Sequence, residues 1–208
     1  MSEISRIPLL IEPHYFPCIS WWAAVSRHES VVLDVSAHYQ KGSYRNRAHI
    51  LGANGVMRLS VPLEHGRTQR KTTGDVKICY DEDWQKIHWQ TLISSYRRSP
   101  FFEYFEDILE ALFVRPFTFL IDMQMAVIAI MKKLIGIETQ FTLSTHYIDP
   151  GDPQYVDLRN TIHPQKTSQL NFIQYTQVFS DRFAFIPDLS IIDAICNKGK
   201  ITINDLIL

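Results

Sequence analysis

The sequence predicts a mixed α/β fold: a single domain over residues 1–208, with a short, largely parallel sheet and a helical middle segment. Three observations lead there. The first 35 residues run through strand, turn, helix and strand signals. The middle of the chain carries three successive helical stretches, each closed by a proline or a glycine. A length of 208 residues, 46% of them apolar and 21% charged, suits one domain that buries its own core.

Ile7–Glu12 reads as a short buried strand ended by Pro13. Ser20 to His28 suits one short helix, with Trp21, Trp22, Ala24 and Val25 supplying apolar contact. Val31–Val35 is apolar and rich in β-branched residues, which predicts a second buried strand. Two strands and a helix within 30 residues make a βαβ-like opening, so the strands should pair in parallel. Asp34 then stands near the carboxyl end of the second strand, where open α/β sheets bind ligands.

A polar, aromatic and basic stretch follows from Tyr39 to His49. Asn54-Gly55 marks a tight turn, and Met57–Leu63 alternates as a strand should. Glu64 to Asp75 reads as a mobile loop and Val76–Cys79 as a further short strand. Asp81 or Asp83 can cap a helix running to about Arg98, with Trp84, Ile87, Leu92, Ile93 and Tyr96 near the 3.6 period. Pro100 ends it. Phe101–Phe113 is a second helix, ended by Pro116. Phe117–Ile135 is a third, closed by Gly136, with Lys132 and Lys133 in its last turn. Phe141–Leu143 is strand-like, Thr145 to Gln174 is polar and proline-punctuated, and Ser190 to Asn197 suits a short helix before Gly199.

Composition excludes several classes. Twelve Phe, nine Tyr and four Trp against only eight Gly argue against disorder and against a glycine-rich phosphate loop. Asp122, Gln124, Lys132 and Lys133 interrupt the most apolar stretch, so no membrane span of about 20 residues is expected. Ile7 to Ile11 is too short for the apolar core of a secretion signal. Cys18, Cys79 and Cys196 are isolated and odd in number, as in a reducing cytoplasm. There is no HExxH, no paired cysteine and no calcium-loop pattern, so no metal is expected, and His14 with Cys18 alone is too few ligands for zinc. No cofactor and no oligomeric state follow from the residues.

The net charge of −1 conceals a cancellation. Lys41 to Lys77 holds eight cations against Glu64 and Asp75, which makes that window +6 and the remainder −7. Arginine's planar fork suits oxyanions, and in an extended stretch Arg45 and Arg47 point to the same side, where they could clamp a diphosphate. The alternative is a solvated loop, the usual meaning of scattered charge and the one favoured for Arg67, Arg70 and Lys71. Nucleic acid is not expected, since the whole chain is slightly acidic and no recognition helix or RNA-binding signature is present.

Pro13-His14-Tyr15-Phe16-Pro17, then Trp21-Trp22, Tyr39-Gln40-Lys41 and Ser43-Tyr44-Arg45-Asn46-Arg47 stand in order. Asn54-Gly55, Leu59-Ser60-Val61-Pro62 and Trp84-Gln85-Lys86-Ile87-His88-Trp89 follow. Next come Tyr96, Ser99-Pro100-Phe101-Phe102 and Tyr104. Phe185-Ile186-Pro187-Asp188-Leu189-Ser190-Ile191-Ile192-Asp193 and Asn197-Lys198-Gly199 complete the set. The ordered set resembles the WbqC-like family of bacterial proteins over nearly the whole chain. The resemblance implies a role in O-antigen, that is lipopolysaccharide, or other surface-polysaccharide biosynthesis, with glycine or aminoacyl transfer suggested for some members. Many members carry two adjacent carboxylates after the second strand. Here Asp34 is followed by Val35 and Ser36, which puts any metal-binding or proton-sharing role of that pair in doubt.

The catalytic candidates are therefore His14, Asp34 and His88. His14 or His88 would move a proton, and Asp34 would orient that histidine or bind a substrate amine or hydroxyl. The bland readings are a rigid aromatic turn at His14 and a satisfied core histidine at His88. The binding candidates are Tyr15, Gln40, Lys41, Tyr44, Arg45, Asn46, Arg47 and Tyr96, with Tyr96 near the His88 face. A histidine-bearing turn between strand and helix resembles nucleotidylyltransferase folds in outline, without their HxGH pattern. Lys166-Thr167-Ser168 is a weak phosphate-loop candidate. Cys18 follows Pro17 at a helix start, where a dipole would lower a thiol pKa, although a plain buried cysteine is the favoured reading. The expected function is a cytoplasmic transferase acting on a small anionic or nucleotide-activated substrate. A non-catalytic glycan- or partner-binding protein is the alternative, and it should show exposed Tyr and Trp on a shallow surface.

Overall fold

The computed structural model describes residues 4–64 and 71–208. The first strand, β1 (Leu9–Ile11), is buried along its length and is followed by the short helix α1 (Ile19–Val25). Trp21 and Trp22 of α1 are fully enclosed. Each such side chain removes about 200 Å² from water, roughly 5 kcal/mol by area. Trp21 stacks on Phe141, centroids 6.0 Å apart, and its Nε1 donates to the Glu12 carbonyl at 3.1 Å. One side chain thus ties α1 to the sheet and to the turn after β1.

The second strand, β2 (Ser30–Leu33), pairs with β1 in parallel, Leu9 opposite Val31 and Ile11 opposite Leu33. Both strands are shorter than the apolar runs suggested. Pro13 has no N–H with which to extend the ladder. Asp34 turns the chain by accepting from the Ser36 and Ala37 amides with its own carboxylate. Glu12 and Asp34 therefore fall just beyond their strands.

A hairpin of β3 (Arg47–Gly52) and β4 (Gly55–Ser60) turns through Ala53-Asn54, with Gly55 at φ +104. The preceding residues 41–46 form turns, so Arg45 and Arg47 do not alternate along one strand, as an extended stretch would require. Residues 65–70, with Arg67 and Arg70, lie outside the described residues. Instead of a strand at Val76–Cys79 there are two isolated bridges, Ile78 to Leu63 and Lys77 to Phe119.

The three middle helices, α2 (Trp84–Tyr96), α3 (Phe102–Val114) and α4 (Leu120–Leu134), fall where proline and glycine punctuation placed them. Asp83 occupies the N-cap of α2 without a side-chain cap bond. The last strands are β5 (Gln140–Leu143) and β6 (Val156–Asp157), and α5 (Ile191–Lys198) follows. Ser190 caps α5 by accepting from Ile192 N.

The sheet runs β5-β2-β1-β6, every neighbour parallel. Numbering only these four strands, the order is third, second, first, fourth. The chain reverses its direction of travel between β1 and β6, and all four carboxyl ends share one edge. The protein is thus a mixed α/β domain with a mostly parallel sheet. Among the described residues no helix is long and apolar enough to cross a membrane.

Candidate functional site

Parallel pairing brings four loops together along that edge: Ser144 after β5, Asp34 after β2, Glu12 after β1, and Arg159-Asn160 after β6. They form two clusters.

The first is centred on Arg159. Its Nη1 donates to Asp34 Oδ2 at 2.9 Å, and its Nε and Nη2 grip Asp157 at 3.0 and 2.6 Å. The guanidinium beside Asp157 holds that carboxyl below its usual range, and the hydrogen bonds that Arg159 donates to Asp157 and then to Asp34 push Arg159 up. Asp34 Oδ1 is also taken, by two backbone amides and the Ser144 hydroxyl. Asp34, 1% exposed, therefore locks three strand ends together.

The second cluster sits between β1 and β6, at the reversal point. Asn160 N donates to Glu12 Oε2 at 2.9 Å, and Asn160 Oδ1 accepts from Arg45 Nη2 at 3.2 Å. Arg45 Nη1 lies 3.8 Å from Glu12 Oε1, an ion pair rather than a hydrogen bond. His14 Nε2 meets the same Glu12 oxygen at a long 3.4 Å. From below, Gln124 of α4 donates through Nε2 to the carbonyls of Arg45 (2.6 Å) and Pro13 (3.1 Å). Glu12, His14, Arg45 and Gln124 are each at most 2% exposed.

Burial pushes the Glu12 carboxyl up, but the hydrogen bond from His14 and the charge of that ring when it is protonated, then Arg45 and the Asn160 amide, bring it down to about 2. Glu12 is therefore an ionised acceptor, and His14 Nε2 must carry the proton between them. Burial lowers the His14 pKa, Glu12 opposes this, and Arg45 and His163 add to it. We assign a neutral imidazole at pH 7, because desolvation of the enclosed ring outweighs one long contact to a carboxylate already shared with Arg45 and Asn160. Burial also lowers Arg45 while Glu12 raises it, and a guanidinium stays protonated at neutral pH.

Buried polar groups normally find partners. Here His14 Nδ1, Arg45 Nε and Nη1, and Gln124 Oε1 are buried without a hydrogen-bond partner. Arg47 Nε, on the adjoining strand, is in the same condition. Exchanging the Gln124 amide atoms does not help, since both its partners are carbonyls that accept only.

A cavity of about 510 Å³ opens beside this cluster, between α1 and the segment after β6. His163 lines it, and burial and then the Lys166 charge lower its pKa. Lys166 also lines it and donates from Nζ to the Asn160 carbonyl at 2.8 Å.

The candidates read from the sequence divide accordingly. His14 and Arg45 share one centre around Glu12, and Arg47 opens β3 two residues further on. The carboxylate that meets His14 is Glu12, while Asp34 is held by Arg159. His88 lies apart: its Nδ1 pairs with the Tyr15 hydroxyl at 2.9 Å, and burial brings its pKa down to about 4. Tyr96 accepts from Leu51 N, and nothing joins it to His88. Tyr44 places its ring 5.4 Å from that of His14, and its hydroxyl contacts His49. Asn46 accepts from the Tyr39 hydroxyl and donates to the Val61 carbonyl. Gln40 and Lys41 are exposed, and Gln40 offers its carbonyl to Ser43. Burial and then the Asp188 charge push the Cys18 thiol up, against the lowering expected at a helix start. No cluster of potential metal ligands occurs among the described residues.

Glu12, Gln124, Arg159, Asn160 and His163 were not legible as site residues. Glu12 directly before Pro13-His14 was the available signal.

The model of the WbqC-like protein family matches residues 12–166 of the 208. The chain belongs to this family. The matched interval runs from Glu12 to Lys166 and so contains both clusters. The WbqC-like match leaves out residues 167–208, with Phe185–Asp193 and Asn197–Gly199 among them. No curated protein and no solved structure matches the chain.

Proposed function

We propose that this WbqC-like protein is a cytoplasmic transferase of bacterial surface-polysaccharide biosynthesis, acting on a small anionic or nucleotide-activated substrate. Amino-acid transfer to a sugar is the specific form we favour. The observation that carries the reading is Arg45: a guanidinium 2% exposed, with no hydrogen-bond partner at Nε and only the 3.8 Å ion pair to Glu12 at Nη1, beside a histidine whose Nδ1 also lacks a hydrogen-bond partner. An oxyanion would satisfy the first, and a hydroxyl or amine proton the second.

In this reading Arg45, with Arg47, holds the anionic part of the activated substrate. The acceptor's hydroxyl or amine attacks the activated centre, and its proton passes to His14 Nδ1. Glu12 keeps Nε2–H in place and stabilises the imidazolium as it forms. The bond to the leaving group breaks, and His14 returns the proton to it or to solvent.

The buried tryptophans also favour an enclosed site over a shallow binding surface. All four are at most 7% exposed, whereas the exposed tyrosines Tyr80, Tyr104 and Tyr147 belong to separate segments. The test is a thermal-shift screen against nucleotide sugars, nucleotides and amino acids, with Arg47→Ala and the Arg45→Ala, Arg47→Ala double variant as controls. A ligand at about 100 times its Kd adds about 2.7 kcal/mol and raises the melting temperature. Stabilisation should shrink in Arg47→Ala and vanish in the double variant. A ligand that stabilises the double variant as much as the wild type would remove the anion clamp.

A further inference from the structure

We infer that the cavity beside α1 holds the base of a nucleoside phosphate whose phosphates lie toward Arg45. The inference rests on the anion-binding reading above and names the class of anion. Four features support it.

The first is position. The cavity runs along α1: its end at Leu158 and Lys166 lies just beyond β6, next to the reversal between β1 and β6 where open parallel sheets hold nucleotides, and its other end reaches Arg27 and His28 before β2. The second is size and lining. About 510 Å³ lies in the range of small-molecule sites. Ala23 and Ala24 of α1 form one wall and Leu158 and Ile162 the other, so small and aliphatic side chains leave room for a planar ring.

The third feature is the polar end of the lining. The Ser20 and Ser168 hydroxyls are bonded to each other at 2.8 Å, and the Asp188 carboxylate is fixed by Ser20 N at 2.7 Å. These groups would meet the hydrogen-bonding edge of a base, whereas a hydrocarbon chain would leave them without use. The fourth is the pair of cations, Lys166 and Arg45, on the Asn160 side. His163 and Lys166 stand where the cavity approaches Asn160, and beyond Asn160 lies Arg45 with its unpartnered N–H groups. Phosphates leaving the cavity at this end meet the cations Lys166 and then Arg45, with the His163 imidazole beside them, whereas Arg27 and His28 line the other part of the cavity. The Lys166-Thr167-Ser168 triplet, weak as a sequence signal, lines this same cavity.

Isothermal titration of the full chain with inorganic pyrophosphate, ADP, CDP and UDP tests the inference, in wild type and in two cavity-filling variants, Ala24→Trp and Ser168→Phe. Wild type should bind at least one nucleoside diphosphate about tenfold or more tighter than pyrophosphate, the difference measuring the base. In a filled variant that affinity should fall to the level of pyrophosphate, while pyrophosphate itself binds as before, which also reports that the variant is folded. Either variant suffices if the other fails to fold. If pyrophosphate binds and no nucleoside improves on it, or if both filled variants bind nucleotide like wild type, the base does not sit in the cavity and the anion clamp stands. If neither pyrophosphate nor any nucleotide binds wild type, the anion clamp falls as well.

Discussion

His14 Nε2 lies 3.4 Å from Glu12 Oε1, and both side chains are closed off from solvent. The two residues are separated only by Pro13, whose fixed φ sets the turn between them. Glu12 thereby decides which imidazole nitrogen carries the proton and leaves Nδ1 as the free lone pair. The same carboxylate holds Asn160 and faces Arg45, so one buried anion organises the whole centre.

Glu12 should shape the acid limb of stability. Its pKa is held at about 2, below the usual 4.5. A lowered carboxylate contributes fully above pH 4.5, and the contribution is lost as pH falls toward 2. The shift corresponds to about 3 kcal/mol. Glu12→Gln should lower the melting temperature above pH 4.5 and flatten its fall between pH 4.5 and 2. An acid limb as steep as that of wild type would contradict this role.

Histidine burial should act at higher pH. His88 is brought from 6.5 to about 4, so the unfolded chain takes up its proton first, and stability falls as pH drops through that interval. The effect is about 3 kcal/mol. His88→Gln, which can still accept from Tyr15, should lose much of the slope between pH 6.5 and 4. Some slope remains, because the His14, His49 and His163 pKa values are lowered too. Chemical denaturation at several pH values measures it.

Arg159 should matter more to stability than its place in a polar tract suggests. Arg159→Ala strands Asp34, which is 1% exposed, and removes the fork from Asp157. Breaking a buried pair in this way costs about 3–5 kcal/mol. Arg159→Lys should recover only part of the loss, since an ammonium cannot span both carboxylates as the fork does. Urea midpoints that follow the order wild type, Lys, Ala would bear this out, and equal midpoints for all three would refute it.

Gln124→Leu removes the donors that hold the Pro13 and Arg45 carbonyls. Two buried acceptors lose their partner, at about 1–3 kcal/mol each. The turn bearing His14 and the loop bearing Arg45 should loosen together. Stability should fall, and pyrophosphate affinity should fall with it. Unchanged affinity in a destabilised but folded variant would limit Gln124 to support of the core.

The cysteines should differ sharply in reactivity. Cys18 and Cys196 are buried with thiol pKa values pushed up, mainly by desolvation, while Cys79 is only half-buried. A thiol reagent on the native protein should modify Cys79 first, and the other two only on unfolding. Rapid native labelling of Cys18 would reopen its candidacy as a nucleophile.

The local elements were legible because their signals are local. Apolar runs marked β1 and β2, their spacing implied parallel pairing, and Pro100, Pro116 and Gly136 bounded the three middle helices. His14 and Arg45 could also be singled out as residues with chemistry to offer. Strand β6 could not. It has two residues in a polar, proline-punctuated stretch and no period of its own, and only pairing with β1 makes it a strand.

Much of the site depends on that strand. The bond from Asn160 N to Glu12 spans 148 residues, and that from Arg159 to Asp34 spans 125. By itself the sequence determined the βαβ opening, the helical middle and the basic character of Lys41–Lys77. Tertiary structure decided that Glu12 also faces Arg45 and Asn160, which N–H groups of Arg45 are left without a hydrogen-bond partner, and where a cavity opens beside them. Periodicity reports how each segment buries its own apolar face. Charges at strand ends find some partners two residues away, as Arg159 does in Asp157, but the bonds that join them into one centre form only when the parallel sheet brings distant loops to one edge.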